Sequence, residues 1–162
     1  MTAIRDAMPA DDDAILAILN HEVREDVNSW QHTEFTKDAV TAWREHARFP
    51  LLVAEARDRV IGFGRYGSFR SSFGYIHTVE HSVYVAHDAR GDGAGRALLI
   101  ALIDHAERAG DIRVMIGGFD SGNAASARLH VSLGFEEVGR LPQVGRKFDR
   151  WLDLVLTQKL LP

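Results

Sequence analysis

The chain of 162 residues carries 19 Lys and Arg against 23 Asp and Glu, a formal net charge of -4, with 46% hydrophobic and 26% charged residues. This is the balance of one globular domain with a sizeable core; lacking a basic footprint, it excludes nucleic acid as an expected partner and points to small-molecule chemistry. Zero cysteines exclude disulfides, cysteine nucleophiles and thiolate metal sites. The start, MTAIRDAMPADDDAILAIL, is acidic where a secretory signal is basic, and no apolar run reaches membrane-spanning length, so a cytoplasmic protein with no membrane partner is expected.

In chain order, TAIRDA alternates as a short strand. Pro9 and three aspartates then open a helix whose apolar face is Ile15, Ile18, Leu19 and Val23. A second helix is expected around Asp38 to Phe49, followed by the strands LLVAEAR and VIGFGRY joined by the turn DR. GSFRSSFG reads as a loop, TVEHSVYV as a strand, and GAGRALLIALIDHAERAG as an amphipathic helix closed by Gly110. The strand IRVMIG, the helix NAASARLHVSLG closed by Gly134, and two strands in FEEVGRLPQVGRKFDRWLDLVLTQKLL complete the chain. The order β-α-α-β-β-β-α-β-α-β-β combines an antiparallel front half with one parallel crossover. It predicts a single α+β domain over residues 1–162 with a mixed sheet.

The crossover begins at ARGDGAGRAL, residues 89 to 98, between a strand and a helix. Such a loop presents bare backbone N–H groups at the positive end of a helix dipole, where a phosphate binds; alone it reads equally well as a chain reversal. A P-loop is excluded because Gly95 is followed by Arg96 and Ala97, and G-x-G-x-x-G fails from either Gly91 or Gly93. What remains is R-x-x-G-x-G on Arg90, Gly93 and Gly95.

That pattern resembles the acetyl-CoA pyrophosphate loop of the GCN5-related N-acetyltransferase (GNAT) superfamily. NAASARLHVSLGF is similar to the superfamily's second cofactor segment, and HTVEHSVYV with VGRKFDRWLDLVLTQ resembles the phosphinothricin and methionine sulfoximine N-acetyltransferase family. The resemblance implies the acyl-CoA N-acyltransferase fold, a twisted mixed sheet flanked by helices, acetyl-CoA as co-substrate, no metal and a homodimer. It further implies cofactor contacts from Val83, Tyr84 and Val85, from the loop Arg90, Gly91, Asp92, Gly93, Ala94, Gly95 and Arg96, and from Asn123 and Ser132.

Along VEHSVYV, Glu80, Ser82 and Tyr84 share one face while Val79, His81, Val83 and Val85 share the other. A carboxylate among apolar strand neighbours is either an ion-pair partner or an acid/base group. Transfer of an acetyl group to an amine needs the amine neutral, and the resemblance makes Glu80 the general base that takes its proton. It also makes His130, where many members carry tyrosine, a general acid for the departing thiolate. The resembled substrates are small amino acids, for which Arg70, Phe73, Gly74 and Tyr75 are the expected contacts. Ile76 departs from the arginine of the resembled GYRHTVEHS. Arg146, Lys147 and Arg150 are candidates for replacement charge or a solvated face, and Trp30 and Phe35 for pocket walls or core.

HTVEH also fits the zinc-protease pattern H-x-x-E-H, which requires a helix; in a strand His77 and His81 lie roughly 13 Å apart, so zinc is rejected. An acetyltransferase for amines without a carboxylate, or a silent acyl-CoA-binding module, are the remaining alternatives.

Overall fold

The computed structural model describes residues 1–162. Seven strands, β1 (Ala3–Asp6), β2 (Leu51–Ala56), β3 (Arg59–Ser68), β4 (Thr78–Val85), β5 (Val114–Asp120), β6 (Glu136–Lys147) and β7 (Arg150–Leu160), form one sheet in the order β1-β2-β3-β4-β5-β7-β6. The helices are α1 (Asp12–Glu25), α2 (Lys37–Arg44), α3 (Ala94–Ala109) and α4 (Ala124–Ser132). Every strand pair is antiparallel except β4 with β5, which the α3 crossover joins in parallel. The element order and the α+β class are those expected from the sequence.

The sheet is covered on both faces, which explains the unbroken apolar run at its centre. Leu51, Val53 and Phe63 pack on Ile15, Ile18 and Leu19 of α1 and Val40 of α2. Leu52, Ala54, Tyr66 and Val79 pack on Leu98, Leu99, Leu102 and Ala106 of α3. The aspartates at the start of α1 have separate partners. Asp11 accepts from the Met8 N–H at 2.7 Å and pairs with Arg5; Asp12 binds Arg44 and Thr41 of α2; Asp13 meets Lys37. The arginines beside Asp11 and Asp12 hold both carboxyls below the usual carboxylate range.

Three boundaries differ from expectation; β5 runs Val114–Asp120, paired to β7 along its length, where IRVMIG would end at Gly117. α2 ends at Arg44 because the His46 Nδ1 accepts the N–H groups of Arg48 and Phe49, turning the chain before Pro50. β3 continues to Ser68, held by pairing to Val79. Both tight hairpins, Arg57-Asp58 and Phe148-Asp149, use two residues of positive φ, the primed turn that matches strand twist.

The decisive feature is where β4 and β5 part. They pair only from Thr78–Val114 to Glu80–Ile116, after which β5 follows β7 alone. Beyond the fork, His81 of β4 and His130 of α4 sit over Gly117. A Cβ there would lie 2.4 Å from the His130 Nε2 and 2.7 Å from the His81 Nε2. Gly117→Ala is expected to destabilise the fold by about 1–3 kcal/mol through overpacking, lowering the melting temperature by roughly 2–4 °C per kcal/mol. Differential scanning calorimetry checks this; an unchanged melting temperature would show that the imidazoles are free to move.

Candidate active site

The fork opens into a cleft of about 640 Å³ lined by β4 from His81 to Val85, by Arg90, Gly91 and Gly93–Gly95 before and within α3, by Gly118–Asp120 of β5, and by Asn123 and His130. After Glu80 the backbone of β4 has no strand partner on this side, so its amide and carbonyl groups are available to an extended ligand. At the far end Gly91 (φ 95°) and Gly93 (φ 84°) hold the left-handed backbone conformation that glycine tolerates, and Gly93 caps α3. An amide-lined strand edge leading to a helix N-terminus fits the pantetheine arm and pyrophosphate of a coenzyme A thioester.

The expected cofactor residues divide by position. Val83, Tyr84, Val85, Arg90, Gly91, Gly93, Ala94, Gly95 and Asn123 line the cleft; Asp92, Arg96 and Ser132 do not, and the Ser132 hydroxyl donates to the Leu129 carbonyl. The Arg90 guanidinium is committed to Glu22 and Asp26. Glu22 also accepts from Asn28 at 2.9 Å, and the Asn28 Oδ1 accepts from the Asn123 Nδ2 at 3.1 Å. This chain of hydrogen bonds ties the glycine loop to the start of α4, where the Asn123 Oδ1 accepts from the Ser126 N–H. Sequence reasoning missed Glu22 and Asn28, for which no local pattern gives a signal.

Glu80 stands at the fork, on the face shared with Ser82 and Tyr84, its Oε1 3.5 Å from where a Gly118 Cβ would lie. Burial raises its pKa and the nearby Arg70 opposes the rise. It lines neither the cleft nor the adjoining cavity, two residues from Ser82 or roughly 7 Å along the strand.

That second cavity, about 280 Å³, is walled by Trp30, Phe35, Trp43 and Phe63 and contains Arg65; Asn28, Ser82 and Tyr84 border both spaces. Trp30 and Phe35 thus serve as pocket walls. Burial, with Glu22 near, pushes the Tyr84 hydroxyl up to about 12, keeping it a neutral donor. The loop residues Arg70, Phe73, Gly74 and Tyr75 line neither space: Phe73 is 82% exposed, and Arg70 stacks on Phe69. Two of the three candidate replacement charges are engaged, while Arg150 is exposed. Buried Lys147 donates to the carbonyls of Glu22, Asp26 and Ser29 at the end of α1, and Arg146 stacks on Trp151.

His81 and His130 form a buried pair, Nε2 to Nε2 at 2.9 Å, boxed by Phe119 and Phe135. The Ser126 carbonyl can only accept, so the His130 Nδ1, 2.7 Å away, carries the proton. Burial lowers both pKa values, that of His81 to about 3. In the neutral pair His81 donates from Nε2 to the His130 Nε2, and the His81 Nδ1 is left without a partner. Neither ring presents an N–H to the cleft. His77 instead meets the Asp111 carbonyl, so the two histidines of HTVEH do not converge.

Because the unfolded imidazoles titrate near 6.5, the unfolded chain binds more protons below that value. The stability gained from the neutral pair is complete above pH 6.5 and drains as pH falls toward 3. The urea midpoint is expected to fall between pH 6.5 and 4.5, above the range of Asp11 and Asp12. A His81→Leu/His130→Phe variant should lose much of this dependence; an equal slope in both proteins would assign it elsewhere.

The acetyltransferase (GNAT) family model matches residues 15–135. An L-methionine sulfoximine/L-methionine sulfone acetyltransferase of Pseudomonas aeruginosa is 48% identical over 160 residues, covering 96% of this chain and 92% of the relative. A putative acetyltransferase of Salmonella typhimurium, solved with its cofactor acetyl-CoA, superposes with a TM-score of 0.95 at 46% identity over 99% of this chain and 94% of that one. A phosphinothricin acetyltransferase of Sinorhizobium meliloti in complex with acetyl-CoA gives 0.91 at 34% identity over 99% and 88%. With the forked strands, the amide-lined edge and the glycine turn, these similarities establish that the chain belongs to the acetyltransferase (GNAT) family and is an acetyl-CoA-dependent N-acetyltransferase.

Proposed function

We propose that the chain acetylates the α-amine of a small amino acid of the methionine sulfoximine, methionine sulfone or phosphinothricin type. The observation that carries this reading is the position of Glu80, a carboxylate at the fork where the open edge of β4 begins, beside an aromatic cavity large enough for such a side chain. Acetyl-CoA supplies the activated acyl group. The amides of Val83 to Val85 hold the pantetheine arm and the thioester carbonyl, and those of Gly91 to Ala94 hold the pyrophosphate. Arg90 serves through its backbone, its side chain holding Glu22 and Asp26. Asp92, Arg96 and Ser132 meet the cofactor at the rim.

Glu80, its pKa raised by burial, takes the proton of the amine directly or through a water, and the neutral nitrogen attacks without a covalent acyl-enzyme. His130 anchors α4 to β4 in place of the proton donation expected from the sequence, because its pair offers no N–H to the cleft. Arg70, Phe73, Gly74 and Tyr75 stay outside both cavities in the loop before β4, and Arg70 acts on Glu80 through its charge. The protein is a homodimer, which covers the exposed apolar strip of Val138, Val144, Phe148 and Trp151; sedimentation at a monomer's mass would remove this part.

Glu80→Gln is expected to lower kcat by about 10²–10⁴-fold with little change in the Michaelis constant for acetyl-CoA. Its folded pKa is raised, so its contribution to stability is highest below the unfolded value and is lost as pH rises. At neutral pH the buried carboxylate costs stability, and the glutamine variant should melt no lower than the parent. Thiol release from acetyl-CoA, followed with the three named amino acids and with arylamines and polyamines, tests the whole reading. Turnover confined to amines without a carboxylate, the outcome favoured by Ile76 alone, would move the substrate class.

A further inference from the structure

Arg65 sits in mid-strand on β3 and is half-buried, with a side chain stacked 4.4 Å from the centre of the Trp43 ring. It makes no ion pair, and burial without a neighbouring carboxylate lowers the pKa of its guanidinium. A cation taken out of water needs a counter-charge, and the cavity it lines holds no acidic side chain. The register supplies the geometry. Arg65 lies opposite Ser82, and Gly67 opposite Glu80, all on one face of the sheet. A Cβ on Gly67 would stand 3.1 Å from the Arg65 Nη2, so the guanidinium lies across Gly67 toward the Glu80 row. Cation and base thus occupy adjacent cross-strand rows, the arrangement required by a ligand whose carboxylate and amine share one carbon.

We propose that Arg65 binds the carboxylate of the acceptor amino acid and is the residue that selects amino acids over simple amines. The proposal rests on the amino-acid reading above and assigns the anion site to β3 rather than to the exposed loop of Arg70. It also accounts for how a carboxylate is held despite Ile76, whose own carbonyl is occupied by Arg48.

The test compares Arg65→Met and Arg65→Lys with the parent on L-methionine sulfone and on the corresponding amine lacking the carboxylate. Arg65→Met should lower kcat/KM for the amino acid about 10- to 100-fold, mainly through KM, and leave the simple amine within about threefold. The Michaelis constant for acetyl-CoA should not change. Arg65→Lys keeps the charge but loses the planar fork and should lose less. Equal losses on both acceptors, in both variants, would make Arg65 a packing residue and overturn the proposal while leaving the function intact. A methionine variant that acetylates the amino acid as well as the parent does would also overturn it. A parent that acetylates no carboxylate-bearing amine would remove the function and this proposal together.

Discussion

The site depends on two parallel strands that stop pairing after three residues. In a closed sheet the inner edges of β4 and β5 would satisfy each other's amides, and no ligand could reach them. Here the pairing ends at Glu80 and Ile116, and the space beyond is kept open from the side by the two imidazoles over Gly117. β5 can leave β4 at little cost because β7 pairs with it along its whole length, from Val114–Leu160 to Asp120–Leu154. The fork thus exposes one edge of one strand, and the Glu80 carboxylate stands at its vertex.

The two lips of the cleft are joined by polar contacts rather than by core. Arg90, Glu22, Asn28 and Asn123 form a continuous chain from the glycine loop to α4, while Lys147 fastens the end of α1 by donating to its last carbonyls. A cation at a helix C-terminus also complements the dipole, which helps to offset its burial. These groups cost desolvation, yet they fix the distance between the phosphate loop and α4 more narrowly than interchangeable apolar contacts would.

Where function follows from local periodicity, it was legible in the sequence. The two-residue alternation of VEHSVYV put Glu80 on one face with Ser82 and Tyr84 and His81 on the other, and the glycines of ARGDGAGRAL marked the start of α3. Partners far apart in the chain were not legible. His81 and His130 are 49 residues apart and Arg90 and Glu22 are 68 apart, and no spacing rule joins them. For this reason the sequence suggested a proton donor at His130 and replacement charge or a solvated face at Lys147, both of which long-range contacts engage. Arg65 did leave a signal, as the lone charge inside VIGFGRYG. It could be weighed only once the structure showed that no carboxylate faces it.

The proposed chemistry sets a last constraint on Glu80. An α-amine titrates near 7.7–8.0 and an ordinary glutamate near 4.3, so proton transfer between them runs uphill by about 3.5 units, roughly 5 kcal/mol. Each unit that burial adds to Glu80 removes about 1.4 kcal/mol of that climb, whereas a nearby cation works against it. Arg70 already opposes the rise. For Glu80 to serve as the proposed base, the burial that raises its pKa must outweigh Arg70.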